Sequence, residues 1–514
     1  MIKITILFTL FISIVFADLT DYLKSTKRTF NEIEGKVPRI TVELSPLEYE
    51  SLVNITQIEQ VKDIIIGCNG DASCLEDFET KVKLTYELNG EKKIFKKVTF
   101  KTGGKYSRAH DKVGFNLKLN GDDLLFDRKQ IRLRADPNDY THMRSKIAYD
   151  LLNIWNIPSE QENYCELYIN DEYFGLYFIK DTVKSNWIKK TYNLPADKEI
   201  ETLYYCNSKA KLNIGDQCLN QNDKTSNYTE PFEELLERIQ VSESIEDIEK
   251  FMNVDLLMKN FAIEFLFGSH DHFIISGHNY FMYQREDSIW DMILVDFDSE
   301  FGSGIGTYFK YVLHKDVENY GYKLSMEDMR HMKNIENRIF DITYSKDKTA
   351  FKKALREIMI TGFNPDALFK RIEELKAFIA PYVKKATTPR PDGRLPGVIN
   401  LAGDDTTHTY EDFDVVSVIE NNDETVPSLK SWIQNRFEFA CEEYGFDKKE
   451  ILKEAAKFRG EKLDESEQET SSSEEEVEVS SSEETDDSSN EETDNEIKKS
   501  NNGQCSKSLE KELL

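Results

Sequence analysis

At 514 residues the chain is long enough for one large domain or two ordinary ones. Its formal net charge of −29 argues against nucleic acid as a partner, because such a surface repels a phosphate backbone. Much of that charge is local, since residues 461–499 hold seventeen acids against three lysines, so a nucleotide held in a basic pocket elsewhere stays possible.

In chain order, "MIKITILFTLFISIVFA" reads as a signal peptide over residues 1–17, with Lys3, an apolar stretch and a small-residue cleavage site at Phe16-Ala17. It is too short and wrongly flanked for an anchor, and no later run is apolar for long enough to span a bilayer, so a secreted protein without a membrane anchor is expected. After an N-terminal segment, 18–36, the pattern is mostly strand from Val37 to about Lys180. Val82, Leu84, Tyr86 and Leu88 alternate into the hairpin turn Asn89-Gly90, and Val113, Phe115, Leu117 and Leu119 alternate into Asn120-Gly121. "THMRSKIAYDLLNIW" reads as a helix, and "CELYI" and "YFGLYFI" flank another hairpin at residues 170–172.

From about Asp181 to residue 455 the chain turns helical. "NVDLLMKNFAIEFLF" is apolar nearly all round, which marks a buried helix capped by Asn253. Two strands follow, "NYFMYQ" and "WDMILVDFD". Gly302, Gly304 and Gly306 read as a flexible loop rather than a phosphate cradle. Asn364-Pro365 starts another helix and Pro427 the last one, with a long surface loop over residues 386–425 between them. The tail, residues 461–514, is rich in Ser, Glu and Asp and is expected to be disordered. The fold class expected is α+β, two-lobed, with a β-rich N-lobe (37–180), a helix-rich C-lobe (181–455) and the site between them.

Seven cysteines do not make a disulfide scaffold. Cys68 with Cys74, or Cys206 with Cys218, could staple a loop; Cys165 and Cys441 read as core residues. The sequons at Asn54 and Asn227 mark surface positions in a glycosylating host.

The chemistry concentrates in three stretches. "DMILVDFDSEFG" brings Asp296 and Asp298 to the end of an apolar strand, where they need a divalent metal or basic side chains to compensate them. "GSHDHFIISGHNYFMY" offers Asp271 and Asn279. "FKTGGKYSRAHDKVGFNLKL" is a glycine turn followed by Arg108 and Lys112. Phosphoryl transfer uses this inventory: a carboxylate to orient the attacking hydroxyl, an amide and a carboxylate for Mg²⁺, and basic groups on the phosphates. Arg132 and Arg134 alternate on one strand face, toward a nucleotide or in surface ion pairs. His270, His272 and His278 lack the spacing of a helical zinc pair.

With "IRLRADPNDYTHMRSKIAYDLL", "ELYINDEYFGLYFIKDTV" and "LKSWIQNRFEFACEEYG", these motifs, in this order, resemble the CotH kinase family of atypical protein kinases over roughly Val37 to Phe446. The secreted fungal members share "GHN" and "DFD". The resemblance implies a kinase-like fold using ATP with Mg²⁺ or Mn²⁺. It makes Asp271 the catalytic base. Asn279, Asp296 and Asp298 become the metal side, and Lys112, Arg108, Arg134 and Arg144 the nucleotide side, with Asp181 at the hinge. Asp271 and Asn279 are eight residues apart, against five in ordinary kinases, and the helix after Met143 offers no glutamate for Lys112.

The function implied is a secreted kinase for Ser/Thr of extracellular or secretory-pathway proteins, including its own acidic tail. The alternatives are a kinase-like surface or adhesion protein facing a host or cell-surface protein, and a nucleotide-sugar transferase using Asp-Phe-Asp as a D-x-D metal motif.

Overall fold

The computed structural model describes residues 26, 30–58, 76–104, 106–137, 139–207, 209–222, 224–311, 321–403, 408–416 and 426–461. The expected signal peptide, the Cys68–Cys74 pair, Lys105, Cys505 and the acidic tail beyond Glu461 lie outside them.

Seven strands close into a barrel: β1 (Arg39–Glu43), β2 (Glu79–Leu88), β3 (Glu91–Gly103), β4 (Gly114–Leu119), β5 (Gln130–Arg134), β6 (Glu162–Ile169) and β7 (Glu172–Lys180), in the order β1-β2-β3-β4-β5-β7-β6. Alternation drives most of it. Val82, Leu84 and Tyr86 point into the apolar interior, and so do Phe115, Leu117 and Leu119. Asn89 and Gly90 take φ 51° and 85°, the left-handed pair that a tight hairpin needs. Closure comes from a parallel pairing of β1 with β6, Ile40 opposite Leu167. The β-rich part is thus a closed barrel.

Helix α1 (Pro46–Ile55) follows β1, and α2 (Arg144–Ile154) crosses between β5 and β6. Beyond Lys180 helices dominate: α3 (Val254–Phe267), α4 (Ser303–Tyr311), α5 (Pro365–Ala386), α6 (Leu429–Tyr444) and α7 (Lys448–Phe458). Among them sits a four-stranded sheet of β8 (Leu203–Cys206), β9 (Leu219–Asn220), β10 (Tyr280–Gln284) and β11 (Trp290–Leu294), in the order β11-β10-β8-β9. α3 is buried nearly all round and capped by the Asn253 side chain, and it shares one core with α2, α5 and α6. Among the described residues no helix is long and apolar enough to cross a membrane. Asn54 and Asn227 are both exposed.

Three expectations are corrected. The glycines at 302–306 do not form a loop: α4 begins directly after Gly302 (φ 85°), and a Cβ on Gly304 would lie 2.1 Å from the His270 ring, so the glycine there permits close approach. The α6 helix is not the last, because Gly445 ends it in the left-handed conformation and Asp447 caps α7. The 386–425 segment is not all surface: residues 396–400 are buried against the barrel, where Asn400 donates to the carbonyls of Ile58, Arg108 and His110 at 3.0–3.2 Å.

A buried ionic knot ties the parts together. Arg371 on α5 meets Glu34 at 3.1 Å and Asp150 on α2 at 2.7 Å, and Lys146 pairs with both acids. Replacing Arg371 with methionine leaves two buried carboxylates sharing one lysine. The expected loss is about 3–5 kcal/mol, read from the urea midpoint; an unchanged midpoint would mean that the knot contributes nothing to stability.

Candidate active site

Two short loops bring the acids together. α3 ends at Gly268 (φ 67°), and the chain passes through His270 and Asp271 before re-entering the sheet at β10. Asn279, just before β10, donates its amide to Asp271 Oδ2 at 2.9 Å and to the Asp271 carbonyl at 3.2 Å. The His278 ring lies 3.5 Å from the same carboxylate. Burial pushes Asp271 up, but hydrogen bonding and charge from His278, with His270 and His272 behind, bring it down to about 2. The carboxylate is therefore ionised, and its Asn279 and His278 contacts fix its direction.

β11 stops at Leu294, and Asp296 takes φ 72°, which turns its side chain out of the sheet. That side chain is 46% exposed and meets Lys180 Nζ at 3.4 Å. Burial raises Asp296, and Lys180, Arg134 and Arg132 outweigh it, leaving the carboxyl below its usual range. Asp298 is open to solvent yet closely surrounded by protein. Desolvation, then the charges of Asp296 and Asp271, push it up to about 7. Three carboxylates thus face one another, and the charges of Asp296 and Asp271 bear on Asp298.

The barrel supplies cations opposite them. Register sets Arg132 on β5 beside Lys180 on β7, and Lys180 beside Glu162 on β6. Lys180 spans Glu160 (3.2 Å) and Asp296, while Glu160 also takes Arg132 at 3.3 Å and the Tyr149 hydroxyl at 2.8 Å. Arg134 lies under the glycine turn: a Cβ on Gly103 would sit 2.8 Å from its Nη1, and one on Gly114 3.0 Å away. Among the described residues that buried Nη1 has no hydrogen-bond partner, nor has the neighbouring Asn116 Oδ1. Burial, then Arg132, draw Arg134 down to about 10.

Four expected site residues lie elsewhere. Lys112 points to the Leu176 carbonyl (3.4 Å) and the Tyr177 ring (4.7 Å), packed against Gly175 and Gly397, because its short segment pairs with Val398 of the docked strap. Arg108 is taken up by Asp77 and the Glu76 carbonyl. Arg144 clamps the carbonyls of Glu300, Phe301 and Pro427, so it braces the loop after Asp298 from behind. Asp181 forms a buried ion pair with Arg128 and accepts from the Gln161 amide. The helix after Met143 offers no glutamate to Lys112, and the buried lysine–glutamate pair of this region is Lys180 with Glu160. A signal for it existed: Lys180 continues the alternation of Leu176 and Phe178, which pack into the helical core on the face of β7 opposite the barrel interior, so a charge ends an apolar face.

The long span from Asp271 to Asn279 is braced from outside. The Cys206–Cys218 disulfide closes a loop in which Lys211, 2% exposed, donates to the carbonyls of Phe273 and Ile274. Ala210 N donates to the Gly277 carbonyl at 2.9 Å, and Glu264 accepts from the Ile274 amide at 2.7 Å.

The histidines separate rather than cluster. His272 reaches the Val295 carbonyl (2.8 Å) and Glu300 (3.2 Å), His270 packs on Gly304, and His278 faces Asp271. Burial pushes His272 down, but Glu300, Glu264 and the Val295 carbonyl hold it at about 9. Since this lies above the unfolded value of about 6.5, the imidazolium stabilises the fold fully below that pH, and the contribution is lost as pH rises through about 9. Thermal melts should fall across this window in wild type and less steeply in His272→Gln; equal slopes would refute a charged His272.

Against known proteins, the family model described as CotH kinase protein matches residues 100–440, about two thirds of the chain. The chain belongs to this family. The CotH match takes in the glycine turn, Arg134, Lys180, Asp271, Asn279, Asp296 and Asp298. The chain is also similar to Invasin CotH3 of the fungus Rhizopus delemar, 24% identical over 301 residues that cover 54% of this chain and 48% of the relative. It thus spans about half the length of that curated CotH relative.

Proposed function

We propose that the chain is a secreted atypical protein kinase that transfers the γ-phosphate of ATP to serine or threonine. The observation that carries this reading is Arg134: a half-buried residue whose buried Nη1 has no partner among the described residues, under a glycine turn and opposite Asp296 and Asp298. A phosphate oxygen satisfies such a donor, and a glycine turn allows backbone to come close to it.

Among the described residues no three metal-binding side chains are grouped to hold an ion by themselves. Mg²⁺ does not require that, since it takes one or two carboxylates and completes its shell with phosphate oxygens and water. Asp298, pushed up by Asp296 and Asp271, marks the charge deficit such an ion relieves. Asn279 and Asp296 would hold it, with Asp298 beside them. Such an ion would supply positive charge to offset that of the phosphate oxygens. Lys180 and Arg134 take the remaining phosphate charge, Glu160 keeps Lys180 aimed, and Asp271 orients the acceptor hydroxyl and receives its proton.

The name of the fungal relative favours a second reading, a surface protein engaging a host. The nucleotide-sugar reading expects alternating strands and helices, and the closed antiparallel-rich barrel lends it no support.

Incubation with labelled Mg-ATP separates these readings. Intact-mass measurement should show phosphate added within residues 461–514, where Ser472, Ser473, Ser481 and Ser482 each precede a glutamate by two residues, in wild type and not in Asp271→Asn. Nucleotide bound without transfer to the tail or to any added Ser/Thr protein would sink the kinase reading and leave the surface-protein one.

A further inference from the structure

Strand register sets lysine beside lysine on the outer wall of the barrel. Val82 and Leu84 on β2 and Phe95, Val98 and Phe100 on β3 pack into the barrel core, which turns Lys81 and Lys83 outward. The β2–β3 register shifts between Val82 and Leu84, so Lys83 faces Lys96 and Lys97 together. Thr99 on β3 lies between Lys81 on β2 and Lys118 on β4. All five lysines are exposed. Like charges opposite one another across strands work against the sheet. Glu43 takes Lys83 at 2.6 Å, and Lys81 donates to the Thr99 hydroxyl. Among the described residues Lys96, Lys97 and Lys118 form no ion pair. The other acids of β2 lie toward its ends: Glu87 takes Lys92 at 3.0 Å, and Glu79 lies opposite Lys101, which Asp77 holds at 2.5 Å. Glu91, Asp122 and Asp123 stand at the two hairpin turns. The face borders the candidate site, since Lys118 lies opposite Gln130 on β5, two residues before Arg132.

A cation cluster of this density runs against a chain of net charge −29, and the same chain carries a polyanion to match it. The described residues end at Glu461, just past α7, and residues 462–499 hold sixteen acids against three lysines. Those thirty-eight residues can span up to ~130 Å. We propose that the barrel face of Lys81, Lys83, Lys96, Lys97 and Lys118 is a docking surface for the acidic tail of the same chain. Lysines act there as point charges, so runs such as Glu474-Glu475-Glu476 can engage them in more than one register. The docking does not rest on the kinase reading. It offsets the lysine–lysine repulsion and holds the tail one strand away from Arg132.

The test uses the full chain at low salt, a carbodiimide that joins a carboxylate to a lysine amine in contact with it, and peptide mass spectrometry. Normal and isotopically heavy chains are mixed first, so that links within and between chains are told apart. Tail carboxylates should join Lys81, Lys96, Lys97 and Lys118 of their own chain about tenfold more than exposed Lys353 on the helical side, the low end of what a surface of one sign does to local counter-ion concentration. The preference should vanish at about 1 M salt, where the screening length falls to about 3 Å. It should vanish also in Lys96→Glu/Lys97→Glu. If that variant shows no melting transition, Lys118→Glu and the salt series decide. Equal linking to Lys353, or a preference kept at high salt, overturns the proposal. Links formed only between normal and heavy chains overturn it too, and put the tail on a second copy.

Discussion

Asp296→Asn is expected to weaken metal-dependent nucleotide binding by about 100-fold or more, given that even residues behind metal ligands are worth 10–100-fold in affinity. The substitution is close to silent for the fold. Residue 296 has φ 72°, a left-handed conformation that asparagine adopts as readily as aspartate. Its side chain is 46% exposed, so losing the contact to Lys180 costs little after solvent screening. What disappears is the negative charge that Lys180, Arg134 and Arg132 favour. Calorimetric titration of a Mg²⁺–ATP analogue, with a melting curve for each protein, reads both quantities. Equal affinity in the variant would remove Asp296 from the metal.

For Asp271→Asn the expected loss is in turnover, about 10²–10⁴-fold, the usual contribution of a positioned general base. Nucleotide affinity should hold, because this carboxylate acts on the acceptor hydroxyl and contributes to the chemical step rather than to ground-state binding. In wild type the Asn279 amide donates to Asp271 Oδ2 at 2.9 Å, whereas a side-chain amide at 271 can accept no proton from the hydroxyl. Single-turnover transfer beside equilibrium nucleotide binding separates the two effects. Full turnover in the variant would move the base elsewhere, with Asp298 the next candidate.

Local signals were legible in the sequence, and non-local ones were not. Asn89-Gly90 announces its hairpin because only certain residues tolerate φ > 0, and α3 announces itself by being apolar on every face. Asp271, Asn279 and Asp296 are readable because each sits at the end of an apolar element, where a charge needs a reason. Closure of the barrel is different. The parallel β1–β6 contact joins residues about 127 apart, Ile40 and Leu167, and leaves no mark on either strand's own pattern. The basic side of the site fails for a related reason. Lys112 and Arg108 follow a glycine turn, but which wall a side chain faces is set by the neighbouring strand, and here the strap at Val398 and the Asp77 carboxylate claim them. Lys180 and Glu160 become partners through the pairing of β5, β7 and β6, and strand register cannot be read from composition. Asn400 misleads in the same way, since a polar residue in a Pro/Gly-rich stretch looks solvated until its partners' carbonyls are known.

The bridge between Cys206 and Cys218 spans twelve residues, so closing it changes the entropy of the unfolded chain by only about 3 kcal/mol on the loop-closure account. The helices, the barrel and the acid-bearing strand end do not depend on it for their hydrogen bonds. The wall that carries Lys211 and Ala210 does, and that wall holds the backbone between Asp271 and Asn279. The bridge thus acts at a distance from its own sulfurs: it closes the loop whose Lys211 and Ala210 hold the backbone between Asp271 and Asn279.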